Sequence, residues 1–419
     1  MNKRLLFITS RLLWPIDGGR KMSLNYYCKG LHERFGYDIY LYSFPENGQS
    51  LNSKFPEYIK DVRIAKKISF YEQIINVIYY SLGKKKWPLQ CSFFYSKENA
   101  RVISDYCDEI KPDVIFTEMI RTATYIDAFR DKAIIKIANL DDLLSKRYIR
   151  QCTSKFSNAN VAGAFSSKLP SFLSSLIRLN WVKKILLLYE SKHCVKWEQE
   201  VYKEYNHVMF TSPIETNEMN KMMGENKAIT LSVGIDYELF SRPIAELEKE
   251  KNSLAYVGNF KVATNCDTLK MICEDILPIL KHEYKFYVIG LCPKEIIDLY
   301  SVNPNIIFSG RVEDLAVAVR KSEVFFCPIA YGTGIKTKIV EAMAMGMPVI
   351  TNDIGAEGIA AENGKHFVVA NEPEELVDQL ERLFDNQEIR NEIGHNAQNF
   401  AHEYFRWDVI YEAFNLANL

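Results

Sequence analysis

The amino-acid sequence predicts an α/β protein made of two tandem, doubly wound, Rossmann-like domains facing across a cleft. Three observations carry that expectation. The chain has 419 residues, too many for one core at roughly 100–200 residues per domain. Short apolar runs alternate with helix-length stretches, the pattern of parallel strands joined by crossover helices. The alternation also starts twice, on either side of the charged segment 246–252.

Taken in order, Leu5–Thr9 is a first strand, followed by the turn-rich Trp14-Pro15-Ile16-Asp17-Gly18-Gly19, a helical stretch to Gly36 and a strand at Ile39–Ser43. Runs at Asp113–Thr117, Ala133–Ala138 and Val208–Thr211 extend this half, which is expected to end near residue 225. The second series is Leu254–Gly258, Lys285–Gly290, Ile306–Gly310, Val324–Pro328, Pro348–Thr351 and Phe367–Ala370, with helices such as Asp267–Lys281 and Glu372–Asp385 between them. The expected domains are 1–225, carrying a basic and apolar insertion near 150–197, and 226–400. A helix in 401–419 is expected to pack back on the first. Ligands bind at the carboxyl ends of strands in such sheets, so functional residues should follow strands.

Composition narrows the function. Lys plus Arg number 52 and Asp plus Glu 53, a net charge of −1, which gives no global attraction for nucleic acid. Nine cysteines form no CxxC pair and read as reduced thiols of a cytosolic protein, without a disulfide framework or zinc site. The N-terminal run lacks a small-residue cleavage site and reads as a strand. No window approaches the roughly 18 apolar residues of a membrane-spanning helix. Two segments are locally basic. Lys60–Cys91 holds seven basic and two acidic residues among Phe70, Tyr71, Tyr79, Tyr80 and Trp87. Arg150–Trp197 holds eight basic residues and one acidic, Glu190, around Phe172–Leu188. Such segments suit the face of an anionic membrane. Core or cleft-lining helices are the equal alternative, because Lys183 falls on the face of Phe172 and Leu176.

The most informative window runs from Pro328 to Ile350: a strand end, the loop Tyr331-Gly332-Thr333-Gly334-Ile335-Lys336, a short helix closed near Gly346, and another strand. Gly332 and Gly334 let backbone approach a ligand, and amides at the next helix's start favour an anion such as a diphosphate. Lys336 and Lys338 add positive charge, and Glu341 offers an acceptor-only carboxylate suited to a ribose diol. A tight strand–helix connection with surface lysines explains an isolated Gly-x-Gly equally well.

The window resembles the signature of the retaining group 1 glycosyltransferases (family 4, GT-B fold), with Glu341-Ala342-Met343-Ala344 followed by Gly346 and Pro348-Val349. Val233-Gly234-Ile235-Asp236, Tyr256-Val257-Gly258-Asn259-Phe260, Ser309-Gly310-Arg311-Val312-Glu313-Asp314 and Gly355-Ala356-Glu357-Gly358 match further family segments in order, over roughly residues 230–410. In the first domain Asp17-Gly18-Gly19-Arg20 is similar to the family's glycine loop, or simply makes a turn. Asn139-Leu140-Asp141-Asp142 with Ser145, Arg147 and Tyr148 resembles a segment of some members, or caps a helix. The resemblance implies retention of anomeric configuration and no metal or other cofactor. It places the donor, a nucleotide diphosphate sugar, on Gly18, Gly19, Gly258, Lys261, Arg311, Gly332, Thr333, Gly334, Ile335, Lys336, Lys338 and Glu341. Nearest the chemistry are Glu118, Lys336 and Glu341, and Arg20, Asp141 and Arg147 lie on the acceptor side. Lys338 faces either the phosphates or solvent.

Three positions depart from the pattern. Thr333 stands where many members have Glu, Asn259 and Asn265 stand near a usual basic pair, and Thr117-Glu118 replaces a first-domain His. Glu118 either orients substrate or is a buried partner of Arg121. The expected reaction is transfer to a saccharide acceptor, lipid-linked, in capsular, cell-envelope or exopolysaccharide assembly at the inner membrane face. A non-catalytic acceptor-binding subunit is the alternative, and a nucleotide-sugar epimerase a more distant one.

Overall fold

The computed structural model describes residues 2–16, 19–45, 55–155, 180–245 and 247–413. The chain divides into two compact units. The first comprises Met1–Tyr148, Ser167–Ser232 and Tyr411–Leu419, the second Ile149–Ser166 and Val233–Ile410.

The first unit is built on a seven-stranded, wholly parallel sheet of β1 (Arg4–Thr9), β2 (Asp38–Ser43), β3 (Ile59–Ile64), β4 (Val114–Glu118), β5 (Ile135–Asp141), β6 (His207–Phe210) and β7 (Ala228–Thr230). Their spatial order is β3-β2-β1-β4-β5-β6-β7. The chain winds outward from β1, returns to lay β4 on the other side of β1, and winds away again. β1 and β4 therefore flank the point where the winding reverses. β3 and β7 do not stand out in the sequence, because Ile59-Lys-Asp-Val-Arg-Ile alternates with charge and Ala228–Thr230 is three residues long. β7 pairs with β6, so the first unit runs to Ser232 rather than 225. Tyr411 also belongs to it. Its hydroxyl donates to the Tyr26 carbonyl at 2.6 Å, and its ring fills the space beside Gly30, where a Cβ would lie 2.3 Å from it.

The second sheet has six parallel strands: β8 (Ser253–Val257), β9 (Lys285–Ile289), β10 (Ile306–Gly310), β11 (Val324–Phe326), β12 (Val349–Thr351) and β13 (Val368–Val369). Their order is β10-β9-β8-β11-β12-β13, and here the winding reverses between β8 and β11. Apolar strand residues such as Leu254, Phe286, Val288, Phe325 and Ile350 form its core with Leu269, Val340, Met343 and Leu380 from the helices.

The basic–aromatic segment before Cys91 folds inside out. Helix Phe70–Asn76 continues as a π-helix, Val77–Gly83. Its buried side chains are polar: Asn76 donates to the Tyr95 carbonyl at 2.7 Å and Ser81 meets Ser92 at 2.7 Å. Its apolar residues Tyr71 (75% exposed), Ile74, Ile75, Ile78 (58%), Tyr79 and Leu82 point outward, at the i, i+3, i+4, i+7 spacing of one helical stripe. Lys84, Lys85 and Lys86, all exposed, follow it directly.

Helix Asn180–Glu204 leans on this segment through Tyr189, whose hydroxyl donates to the Ser81 carbonyl at 2.9 Å. Its buried Glu190 accepts from the Leu89 and Gln90 amides. Its opening turns expose Trp181, Ile185 and Leu188. The earlier part of the apolar stretch, residues 172–179, lies outside the described residues. No helix among the described residues is long and apolar enough to cross a membrane.

Candidate functional site

At the β8–β11 reversal the loop 327–336 leaves β11 and enters helix Thr337–Ala344. Distant groups pin this loop. Asn352 Oδ1 accepts from the Ile329 amide at 3.0 Å and its Nδ2 donates back to the Ile329 carbonyl at 2.9 Å. The Ala330 amide donates to Thr268 Oγ1 at 3.1 Å, and the Tyr331 hydroxyl to Asp267 Oδ2 at 2.8 Å. Gly334 takes a left-handed φ of +67°, which a residue with a Cβ resists. Lys336 staples the loop, its Nζ donating to the Thr333 and Gly334 carbonyls at 3.2 and 2.5 Å. Ile335 turns its side chain toward the core.

In the first turn of the helix, Lys338 is half-buried. Its Nζ donates to Asn265 Oδ1 at 2.7 Å and sits 4.6 Å from the centre of the Tyr256 ring. Burial lowers its pKa. Lys338 thus lies against the residues that follow β8 rather than facing solvent. Glu341 is half-buried one turn further on, and among the described residues it has no hydrogen-bond or ion-pair partner. Burial pushes its carboxyl up to about 7 against the pull of Lys338, so it is poised between charged and neutral near physiological pH.

The other expected donor residues are distributed around this centre. Gly258 follows β8, and its carbonyl passes so close to Gly290 (φ +128°) that a Cβ there would lie 2.0 Å from it. Lys261, two residues beyond Asn259, is exposed. Arg311 is exposed at the end of β10, two strands from the reversal. Asp236 and Asp314 serve the fold as helix caps, accepting from the Leu239 and Val317 amides. Thr268, Asp267 and Asn352 do not stand out in the sequence, and Asn265 does so only as a departure from a usual basic pair, because each of these residues acts through a partner far away in the chain.

The first unit gathers its charged residues at the β1–β4 reversal. Glu118 ends β4 and is fully buried. It accepts from the Ser10 amide at 2.9 Å and from the Ser10 hydroxyl, and pairs with Arg20 at 3.1 Å and Arg11 at 3.9 Å. Burial alone would raise its pKa, yet Arg20, Arg11 and the Ser10 bonds hold it at about 2. Its partners are therefore Arg20 and Arg11, not Arg121, and a carboxylate so enclosed positions arginines instead of meeting a substrate.

Arg20 also binds Asp141 at 2.6 Å, and Arg147 pairs with Asp142. Arg20, Asp141 and Arg147, expected from the sequence on the acceptor side, thus form one group with Glu118. Gly19 opens the helix Gly19–Glu33 that carries Arg20. Gly18 lies outside the described residues.

Two all-parallel doubly wound sheets are the architecture of the GT-B fold, and here the second carries at its reversal a pinned glycine loop, a half-buried lysine and a carboxylate without a bonded partner among the described residues. Residues 251–386 match the model of the family described as "Glycosyl transferases group 1". Anabaena Alr3699/HepE, solved in complex with UDP and glucose, shares the fold at a TM-score of 0.67 and 14% identity over 100% of both chains. An uncharacterized glycosyltransferase of Methanocaldococcus jannaschii, MJ1069, is 23% identical over 58% of this chain and 69% of its own length. The capsular polysaccharide biosynthesis glycosyltransferase CapM of Staphylococcus aureus is 26% identical over 45% of this chain and 54% of its own.

Proposed function

We propose that the protein transfers a sugar from a nucleotide diphosphate sugar to a lipid-linked saccharide acceptor, with retention and without a metal ion, in capsular or cell-envelope polysaccharide synthesis. The observation that carries this reading is Glu341, a half-buried carboxylate with no partner among the described residues beside the half-buried Lys338. An unpartnered buried acceptor is costly unless a ligand satisfies it, and a ribose diol supplies two hydroxyl donors. The loop amides of Gly332–Ile335 and the lysines Lys336 and Lys338 would then meet the diphosphate, with Lys261 and Arg311 further out.

In the reaction the bond from the anomeric carbon to the diphosphate oxygen breaks, the acceptor oxygen bonds to that carbon, and the acceptor's proton leaves with the diphosphate. No protein nucleophile is needed. Catalysis then consists of alignment and of stabilising the leaving diphosphate. That Alr3699/HepE is solved with UDP and glucose, and that CapM is named for capsular polysaccharide, support the choice of donor and pathway class.

Calorimetric titration with uridine, guanosine and adenosine diphosphates and their sugar conjugates tests the donor. One nucleotide should bind selectively, and Glu341→Ala should weaken it about tenfold to a hundredfold, the worth of hydrogen bonds to a charged group. Binding of none would overturn the reading, and binding without turnover across acceptors would identify an acceptor-holding subunit. With a turning-over acceptor, NMR of the product gives the anomeric outcome, and activity should survive EDTA.

The lipid side of the proposal draws on the outward apolar stripe Tyr71–Leu82 with Lys84, Lys85 and Lys86 beside it, and on Trp181, Ile185 and Leu188 with Lys183 and Lys184. Apolar side chains ringed by lysines suit an anionic lipid face. The protein should co-sediment with phosphatidylglycerol vesicles at low salt and be released by salt. Ile78→Glu with Leu82→Glu should abolish this, and absence of sedimentation at low salt would refute the membrane assignment.

A further inference from the structure

Three arginines meet at the β1–β4 reversal of the first unit: Arg11 from the turn after β1, Arg20 from the following helix and Arg121 just after β4. Glu118 and Asp141 are the carboxylates among them, since Asp142 is engaged by Arg147. Arg20 is held by both, and Arg11 stands 3.9 Å from Glu118. Arg121 meets no carboxylate within ion-pairing distance among the described residues. Its polar contact is the sulfur of Met119 at 3.3 Å, and Arg11 approaches the same sulfur at 3.3 Å. Two guanidinium groups thus share one weak acceptor. Arg11 Nε, Arg20 Nη2 and Arg121 Nε are buried donors without acceptors. Such a surplus of buried positive charge is unfavourable unless an anion completes it.

The backbone agrees. Met119 and Asp141, at the ends of adjacent strands, both take left-handed φ values, +68° and +72°. Non-glycine residues held in that region tend to mark functional sites, where the surroundings enforce the strain. The cluster is reachable, since Arg11 and Arg20 keep 21% and 17% of their side chains exposed. Burial and the proximity of Arg11 both weaken Arg121's hold on its proton, as expected of a cation awaiting a counter-charge.

We propose that Arg11, Arg20 and Arg121 form a phosphate-binding site in the first unit that takes the phosphoryl group carried by the acceptor. Several arginine donors converging on one place suit a tetrahedral oxyanion better than a planar carboxylate, which one fork would saturate. Glu118 and Asp141 act here as positioning residues that hold Arg20 and Arg11. Assigning the phosphate to the acceptor rests on the glycosyl-transfer reading above; the anion site itself does not.

The test uses the full chain saturated with its preferred nucleoside diphosphate, titrated calorimetrically with inorganic pyrophosphate. Pyrophosphate should still bind. Arg121→Gln and Arg11→Gln should each weaken it about tenfold or more, the scale of a lost charged hydrogen bond. Arg121→Lys, which keeps the charge without the fork, should weaken it less. Because Arg121 has no ion-pair partner to lose among the described residues, its variants should unfold at the wild-type temperature.

Unchanged affinity in both glutamine variants, or loss of pyrophosphate binding on saturation with nucleotide, would overturn the proposal. A polyprenyl diphosphate-linked sugar should displace the pyrophosphate where the free sugar does not. Failure of that displacement would overturn the acceptor's phosphate as the source. If no nucleoside diphosphate binds, the titration is run without one, and arginine-dependent pyrophosphate binding would then uphold the site while the donor reading fails.

Discussion

Two glutamates at corresponding places in the two units make opposite use of burial. Glu118 lies at the β1–β4 reversal and Glu341 on the helix that follows the β8–β11 reversal. Glu118 is enclosed by two arginines and Ser10 and held ionised, with a pKa of about 2. Glu341 has a lysine nearby but no bonded partner among the described residues, and burial pushes it up to about 7. The same side chain is thus satisfied by the protein in one unit and lacks a bonded partner among the described residues in the other. A carboxylate's place in the winding does not reveal its role; its count of donors does.

The sharpest way to break the comparison is to remove positive charge from the second site. Lys338→Met should lower the transfer rate about 10²–10³-fold, the usual loss for one transition-state stabilising group, while the urea midpoint stays near wild type. Equal loss of stability and activity would make Lys338 a packing residue. Next come the glutamates themselves. Glu118→Ala leaves Arg20 and Arg11 buried without their carboxylate and should cost about 3–5 kcal/mol in urea unfolding. Glu341→Ala should cost less than about 1 kcal/mol there, being a change at a half-buried group without a bonded partner among the described residues, and act on donor affinity instead.

Acidity separates the pair further. Glu118's lowered pKa contributes stability that is fully present above its ordinary value of 4.5 and is lost as pH falls from there toward about 2. Glu341's raised pKa works the other way, because between pH 4.5 and about 7 the folded chain holds a proton that the unfolded chain has released. Its contribution to stability therefore declines as pH rises through that window. With Glu341 holding the donor as a carboxylate, as proposed, nucleotide-sugar affinity should fall toward tenfold per pH unit as pH drops below 7. Glu341→Gln should flatten that profile, and a wild-type profile already flat between pH 6 and 8 would count against the assignment. The smallest expected effect is at Gly334→Ala, where a Cβ in the left-handed region costs on the order of 1 kcal/mol and should raise the donor's dissociation constant several-fold.

Much of the second unit was legible in the sequence, because its strands are continuous apolar runs and its loop glycines, Lys338 and Glu341 sit within one short window. The two weak strands of the first unit were not, since β3 alternates with charge and β7 is too short to show a period. The inward polar residues and outward apolar residues of 70–83 also escaped, because spacing reveals a stripe but not which way it faces. The arginine cluster was only half visible. Arg20, Asp141, Arg147 and Glu118 stood out beside glycines and strand ends, whereas Arg11 and Arg121 acquire meaning only when β1 and β4 become neighbours across 109 positions of the chain, as the bond from Arg4 to Asp113 illustrates.

The seat of Tyr411 against Gly30 has a consequence for how the protein is made. A ribosome delivers Gly30 early and Tyr411 almost four hundred residues later, with the whole second sheet synthesised in between. The first unit is first in sequence but last to be finished, so a truncated chain ending at Ser232 would leave Gly30 and the Tyr26 carbonyl without their cover and should be a poorer substitute for the domain than its strand count suggests.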